Sequence, residues 1–293
     1  MVVRQTLSLP GQSLHLSYLD WGSQSGEPVL LLHGLADHAG VWQPVAEALA
    51  AEGFRAIAPD LRGHGDSSKP PHGYDCDQII SDLQALLSHL GYESAHILGH
   101  SWTGKVVPIW AREFPGQFRS AILVDPFFIG KIPKWSRFTF PLLYRVLPFL
   151  KAMGPFPSHD AAIEAAKTLK QYRGWSDHQR QAFEDSLEEK PDGTWGSKFT
   201  KAARDGIFDD VMVVDGLTEP LSVPTLFIKP EAGLNRSQWQ LKPYYRYLET
   251  LEVRDVPGNH WAFLVEPAAF SQALLPFLHQ HSSNSPPQQP QTS

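Results

Sequence analysis

Two hydrophobic periods divide this chain. From Val2 to Leu9 and again from Ser13 to Trp21, apolar and polar positions alternate, as in strands with one face on a core; Pro10-Gly11 between them predicts an antiparallel pair. After a Gly/Ser turn the pattern changes to short unbroken apolar runs, which suit strands buried on both faces. These are Pro28 to Leu32, Phe54 to Ala58, Ala95 to Leu98, Ala121 to Val124, Thr225 to Ile228 and Leu251 to Val256. Helical spacing fills most of the gaps, over Val41 to Ala51, Asp77 to Leu90, Lys105 to Phe114, Gln238 to Leu248 and a closing helix from Pro267 to His279. The alternation predicts an α/β fold, a mostly parallel eight-stranded sheet flanked by helices. Pro108 is expected to kink the third of these helices or shorten its first turns.

The rhythm stops once. From Phe127 to Thr218 there is no strand-and-crossover pattern but prolines (Pro133, Pro141, Pro148, Pro155, Pro157), clustered aromatics and helical stretches over Ala161 to Tyr172 and Asp177 to Glu189. This predicts a helical cap, residues 127–218, inserted between the sixth and seventh strands and lying over the carboxyl edge of the sheet. The core is then 1–126 and 219–281. Ser, Pro and Gln crowd residues 282–293, a composition that predicts a disordered tail.

Composition changes this picture little. With 293 residues, 42% of them hydrophobic, the chain can fill one large core and still carry the insertion. A net charge of −6 without a basic stripe argues against nucleic acid as a partner. The single cysteine, Cys76, rules out an internal disulfide and fits a reducing compartment. No apolar run reaches the roughly 18 residues of a membrane span, and the first residues lack a secretory apolar region, so a cytoplasmic protein is expected. No metal-binding, P-loop or dinucleotide motif is present, and no cofactor or metal is expected.

Chemistry concentrates where strands end. Ala95 to Leu98 runs into Gly99-His100-Ser101-Trp102-Thr103-Gly104, a sharp reversal before a helix; such a turn lifts a serine hydroxyl clear of the sheet with the next N–H beside it. A loop serine that only caps the helix is the other reading of this segment. The second small position, commonly glycine, is Thr103, with Gly104 one place late. A serine needs a base within hydrogen-bond reach and an acid to orient that base. In doubly wound sheets, ligands sit outside the carboxyl ends of the strands. Ser101, Asp125 and His260 all follow strands in this way, and His260 is the only one of thirteen histidines placed between the last strand and the last helix.

His33-Gly34, Pro59-Asp60-Leu61-Arg62-Gly63-His64-Gly65-Asp66-Ser67, Gly99-His100-Ser101-Trp102 and Gly258-Asn259-His260, in this order over about residues 3 to 280, resemble the α/β-hydrolase fold superfamily of the kind with a helical cap. The resemblance implies Ser101 as nucleophile, His260 as base, and an oxyanion hole from the N–H groups of Leu35 and Trp102. His33, His64, Asp66 and His100 are then structural. Most relatives carry the acid after the seventh strand in an I-x-G-x-x-D pattern, but Ile228-Lys229-Pro230-Glu231-Ala232-Gly233 puts Gly233 at that place. Some relatives carry it after the sixth strand, where Asp125 stands. Asp125 is the expected acid and Glu231 the alternative.

Epoxide hydrolases and haloalkane dehalogenases of this fold use a carboxylate at the elbow. Ser101 implies instead a cofactor-free serine hydrolase that cleaves a carboxylic ester or related acyl compound through an acyl-enzyme. The alternatives are a receptor-like ligand-binding protein on the same fold and a non-hydrolytic lyase, oxygenase or haloperoxidase-type activity. Phe127, Phe128, Trp135 and Trp261 are candidate substrate-binding residues, with Phe138, Phe140, Tyr144, Phe149 and Phe156 in the same aromatic crowd. They imply a small-molecule substrate with an apolar acyl or aromatic part. Lys131, Lys134, Arg137, Arg145 and Lys151 among them would let the cap rest on an anionic membrane, or simply form a solvated basic face, which is the preferred reading.

Overall fold

A computed structural model describes residues 2–139, 150 and 153–282. Phe140, Tyr144, Phe149, Arg145, Lys151 and the tail beyond Ser282 lie outside the described residues, as does the Arg137 side chain. Ten strands occur among the described residues, in chain order β1 Val3–Ser8, β2 His15–Trp21, β3 Glu27–Leu32, β4 Phe54–Pro59, β5 Ala95–His100, β6 Phe118–Val124, β7 Leu187–Glu189, β8 Trp195–Ser197, β9 Thr225–Ala232 and β10 Leu251–Asn259. Eight form one sheet in the order β1-β2-β4-β3-β5-β6-β9-β10. β2 is antiparallel to both its neighbours, and the other pairings are parallel.

The unbroken apolar runs are explained by a core on each face of the sheet. Leu30, Leu32, Ile97, Leu123 and Phe227 belong to one buried cluster with the helices Cys76–His89 and Thr103–Glu113, while Val29, Leu31, Leu98, Ile122 and Leu226 belong to the other, with Pro267–Gln280. Successive residues of one strand thus face opposite layers, and each such side chain contributes roughly 1.5–3 kcal/mol by leaving water. Local signals set the helix ends: the Asp75 carboxylate accepts from the Gln78 N–H at 2.9 Å and starts Cys76–His89. Pro108 does not shorten its helix, which runs from Thr103 to Glu113. Burial of Val106, Val107, Ile109 and Trp110 around it outweighs the roughly 3 kcal/mol that an interior proline costs.

The connection leaving β3 runs to β4 on one side and that leaving the adjacent β5 runs to β6 on the other, which opens a crevice at their carboxyl ends. The segment between β6 and β9 crosses above this edge. The helices His159–Ala166, Asp177–Asp185 and Lys201–Val211 are the longest described elements in it. Its ties to the core follow carboxyl ends of strands: His38 Nε2 to Ala182 O at 2.7 Å after β3, Thr200 N–H to Gly63 O at 3.3 Å after β4, and Asn259 Nδ2 to Lys170 O at 2.8 Å at the end of β10. Lys105, in the helix after β5, donates to both Gly130 O and Val211 O.

The insertion is less purely helical than its sequence predicts. The expected helix over Asp177 to Glu189 ends at Asp185, and Leu187–Glu189 pairs with Trp195–Ser197 as an antiparallel hairpin. Asp192-Gly193 makes the turn: Gly193 adopts φ +80° and the Asp192 carboxylate accepts from the Thr194 N–H at 3.0 Å. The expected helix over Ala161 to Tyr172 likewise divides into His159–Ala166 and a short 3₁₀ turn, Lys170–Tyr172. Lys131 is paired with Asp215 at 2.8 Å and Lys134 is exposed. No helix among the described residues is long and apolar enough to cross a membrane.

Candidate active site

The chain reverses at Ser101 immediately past β5. Ser101 sits at φ +59°, a left-handed conformation that costs a non-glycine residue roughly 1–3 kcal/mol. Two backbone bonds hold it there, from Ser101 N–H to Val124 O at 3.0 Å and from Phe127 N–H to Ser101 O at 2.9 Å. The close approach of strand and helix needs small residues. A Cβ on Gly99 would lie 2.5 Å from Thr103 O, and one on Gly104 would lie 3.1 Å from both Gly99 O and a Pro126 ring carbon. Glycine is therefore required at Gly104 rather than at Thr103. Thr103 is buried, and its hydroxyl lies 2.9 Å from His100 O and 3.1 Å from Leu32 O, tying the turn to the end of β3.

Asp125 follows β6 and His260 follows β10, and the fold brings them together. His260 Nδ1–H donates to Asp125 Oδ2 at 2.6 Å. The buried carboxylate accepts three more bonds, from Leu234 N–H at 2.7 Å, Asn235 N–H at 3.0 Å and Asn235 Nδ2 at 2.9 Å. Burial alone would raise this carboxyl, but the hydrogen bond and charge of His260, with the Leu234 and Asn235 donors, hold it below the usual carboxylate range. Glu231 is exposed and makes no hydrogen bond to His260 among the described residues. Gly233, at the place where relatives carry their acid, explains the exchange: a Cβ there would lie 2.6 Å from Asp125 Oδ2. The Asp125 carboxylate fills the space that a side chain at Gly233 would need.

Ser101 and His260 line one cavity of about 390 Å³, together with Leu35 and Trp102. Neither the Leu35 nor the Trp102 backbone N–H makes a hydrogen bond among the described residues. Two free donors thus flank the turn that carries the serine. The rest of the wall is mostly apolar, with Phe127 and Trp261 joined by Ile207, Phe208 and Val211 from the insertion. Two candidate binding residues are elsewhere. Phe128 is 44% exposed and lies over Lys105 Nζ, 5.6 Å from the ring centroid. Phe127 is pinned to Ser101 O, and the backbone turns at Phe128, with φ +27°, so the two rings part. Trp135 is 69% exposed and stacks on Phe138 with centroids 6.0 Å apart. Both lie in the 3₁₀ turn Lys134–Thr139, where residues three apart eclipse and can satisfy each other at the surface. Among the described residues no group of three or more His, Cys, Asp or Glu is placed to hold a metal ion.

The sequence profile of the α/β-hydrolase fold family matches residues 27–267, most of the chain, including the ends of β5, β6 and β10 that carry Ser101, Asp125 and His260. The chain belongs to the α/β-hydrolase fold family. Over 82 residues, 28% of this chain and 28% of the relative, it is 49% identical to a soluble epoxide hydrolase of Corynebacterium sp. (strain C12). Over 112 residues, 38% of this chain and 41% of the relative, it is 38% identical to a non-heme chloroperoxidase of Streptomyces lividans. Each match therefore spans less than half of the curated relative's length. Among solved structures, E-2-(acetamidomethylene)succinate hydrolase superimposes with a TM-score of 0.73 over 95% of this chain and 99% of its own, at 22% identity.

Behind the cavity His33, His64 and His100 brace the fold. His33 Nδ1 bonds Gly34 O at 2.8 Å and its Nε2 accepts from Leu61 N–H at 3.0 Å; burial pushes this ring down to about 4. His64 bonds Arg62 O and stacks on Phe199, and Asp66 pairs with Lys198 at 2.7 Å. His100 Nε2–H donates to His260 O at 2.9 Å, and burial with the neighbouring His260 holds its ring well below the ordinary histidine value. Its Nδ1 faces Asp37 Oδ2 at 3.8 Å, and that oxygen accepts from Trp261 Nε1–H at 3.2 Å. Burial pushes the Asp37 carboxyl up to about 7 against the pull of the indole. The wall residues Ile207, Phe208 and Val211 were missed by motif reading. Their signal was available, a Thr200 cap followed by apolar positions Ala203, Ile207, Phe208 and Val211 at helical spacing.

Proposed function

We propose that this protein is a serine hydrolase that cleaves a carboxylic ester or related acyl compound through an acyl-enzyme on Ser101. The observation that carries the reading is the His260 Nδ1 to Asp125 bond at a cavity shared with Ser101. With its proton on Nδ1, the ring keeps Nε2 free to accept the Ser101 hydroxyl proton as Oγ attacks the carbonyl carbon. The carbonyl π pair moves onto oxygen, where the Leu35 and Trp102 N–H groups receive the charge. Collapse re-forms the carbonyl, breaks the bond to the leaving alcohol and returns the proton to it from His260. Water then repeats the sequence on the acyl-enzyme and releases the acid. The apolar wall supports a substrate with an apolar acyl or aromatic part.

The stretch shared with an epoxide hydrolase does not favour epoxide opening, because that chemistry on this fold uses a carboxylate where this chain has Ser101. A haloperoxidase-type activity is the second reading, supported by the S. lividans match. A fluorophosphonate probe should label the wild type, leave Ser101→Ala unlabelled, and block turnover of short and medium p-nitrophenyl esters in parallel. Labelling that survives Ser101→Ala removes the reading. Peroxide-dependent halogenation without ester turnover would replace it with the second.

A further inference from the structure

One polar group in the cavity wall is left without work by the proposed chemistry. Gln171 lines the cavity, is only 5% exposed, and its side-chain amide has no hydrogen-bond partner among the described residues. Other buried amides of this protein are bonded. Gln179 bonds Ser176 N–H, Arg173 O and Leu264 O, and Asn235 bonds Asp125 and Pro126 O. A ligand that fills the cavity and covers this amide without bonding it would leave it unpaired at about 1–3 kcal/mol, so an occupant is expected to supply a partner.

The backbone that carries the amide is firmly placed. The neighbouring Lys170 carbonyl accepts from Asn259 Nδ2 at 2.8 Å, which clips this turn to the residue before His260. On the other side Tyr172 is buried, with edge contacts to Phe183 at 5.2 Å and to Trp175 at 6.1 Å. Gln171 thus lies between two fixed points and shares its cavity with the apolar residues Ile207, Phe208 and Phe127. A neutral carboxamide offers both a donor and an acceptor and suits a ligand group that does the same. A hydrocarbon chain at that place would leave it unpaired, which disfavours a purely aliphatic substrate.

The geometry points to Gln171 as a specificity-determining residue that binds a neutral hydrogen-bonding group, an amide or a hydroxyl, on an otherwise apolar acyl chain. This rests on the serine hydrolase reading for where the ester lies, but not for the recognition itself. The test compares chain-matched p-nitrophenyl esters: hexanoate against the N-acetyl-β-alanine ester, and heptanoate against the N-acetyl-4-aminobutyrate ester, so that the amide steps away from the reacting carbonyl. In the wild type, kcat/KM should favour the amide ester at one of these positions. Gln171→Leu should collapse that preference by ten- to hundred-fold, with Gln171→Met as the second variant should the first fold poorly. An unchanged preference ratio, or none in the wild type at either position, overturns the inference. Binding of the same esters to Ser101→Ala, with and without Gln171→Leu, reads recognition without turnover. Loss of esterase activity with retained amide-selective binding would remove the hydrolase reading and leave Gln171 in place, and the converse result would do the opposite.

Discussion

At the carboxyl edge of the sheet the Asp125 carboxylate accepts four hydrogen bonds, while Ile207, Phe208 and Val211 of the insertion line the cavity shared by Ser101 and His260 with hydrocarbon. The edge residues leave strand ends whose direction the sheet dictates: Ser101 after β5, Asp125 after β6 and His260 after β10. The insertion is joined to the core by hydrogen bonds, among them Lys105 to Gly130 O and Val211 O, His38 to Ala182 O, and Asn259 to Lys170 O. Proton transfer demands orientation to fractions of an ångström, which hydrogen bonds on strand ends supply. An apolar wall needs only volume and shape, which short helices supply. The two regions should therefore answer substitution differently: the edge by losing rate, the insertion by changing preference.

The largest expected effect lies at the edge. Asp125→Asn should lower kcat by about 10⁴, because the His260 tautomer is no longer set, as in serine protease triads. Glu231→Gln should stay within a few-fold, since that carboxylate is exposed. Equal losses in both variants would dissolve the distinction between the paired and the unpaired carboxylate. Ester kinetics on the two proteins side by side decide it.

A smaller effect sharpens the contrast from the other side. Phe208→Ala enlarges the cavity from the insertion, and it should shift the preferred acyl chain toward longer esters by about tenfold in relative kcat/KM, the order expected for a changed apolar contact. Fluorophosphonate labelling of Ser101 should persist. A uniform loss across all chain lengths would mean that the insertion helps to align the chemistry and does not merely shape the pocket.

The smallest effect concerns stability and pH. Asp37 has a folded value near 7 against 3.8 for the free group, so between those values the folded chain holds a proton that the unfolded chain releases. Its stabilising contribution is fully present below about pH 4 and is lost as pH rises through about 7. Asp37→Asn can still accept from Trp261 Nε1–H and does not titrate. From pH 5 to 8 the wild-type Tm should fall relative to that of the variant, and parallel profiles would remove Asp37 as the cause. His100 and Tyr172 are the other titratable groups beside it, both shifted by burial away from this range.

Much of this was legible along the chain because it is local or periodic. Unbroken runs such as Leu30-Leu31-Leu32 announce strands covered on both faces, and β3 indeed feeds Leu30 and Leu32 to one core and Leu31 to the other. Gly99 and Ser101 mark the elbow, and Asp75 and Pro10-Gly11 mark a helix start and a hairpin, since each acts on its own few neighbours. The hairpin at Asp192-Gly193 and the helix Lys201–Val211 had local signals too, but weaker ones within a segment whose prolines and aromatics broke the rhythm. Other features depended on contacts between distant residues. Which carboxylate meets His260 is settled by Asp125, 135 residues away, for which Gly233 leaves room. Phe127 and Phe128 are adjacent and chemically identical, yet one lines the cavity and the other covers Lys105, because a bond to Ser101 O fixes the first and the backbone turns at the second. Gln171 reads as an ordinary surface glutamine in the chain; only the packing of Tyr172 and the Asn259 bond to Lys170 bury it in the wall of the cavity that Ser101 also lines. Periodicity reports which face of an element is buried, whereas the direction and partner of a single side chain are set by whichever distant segment arrives to meet it.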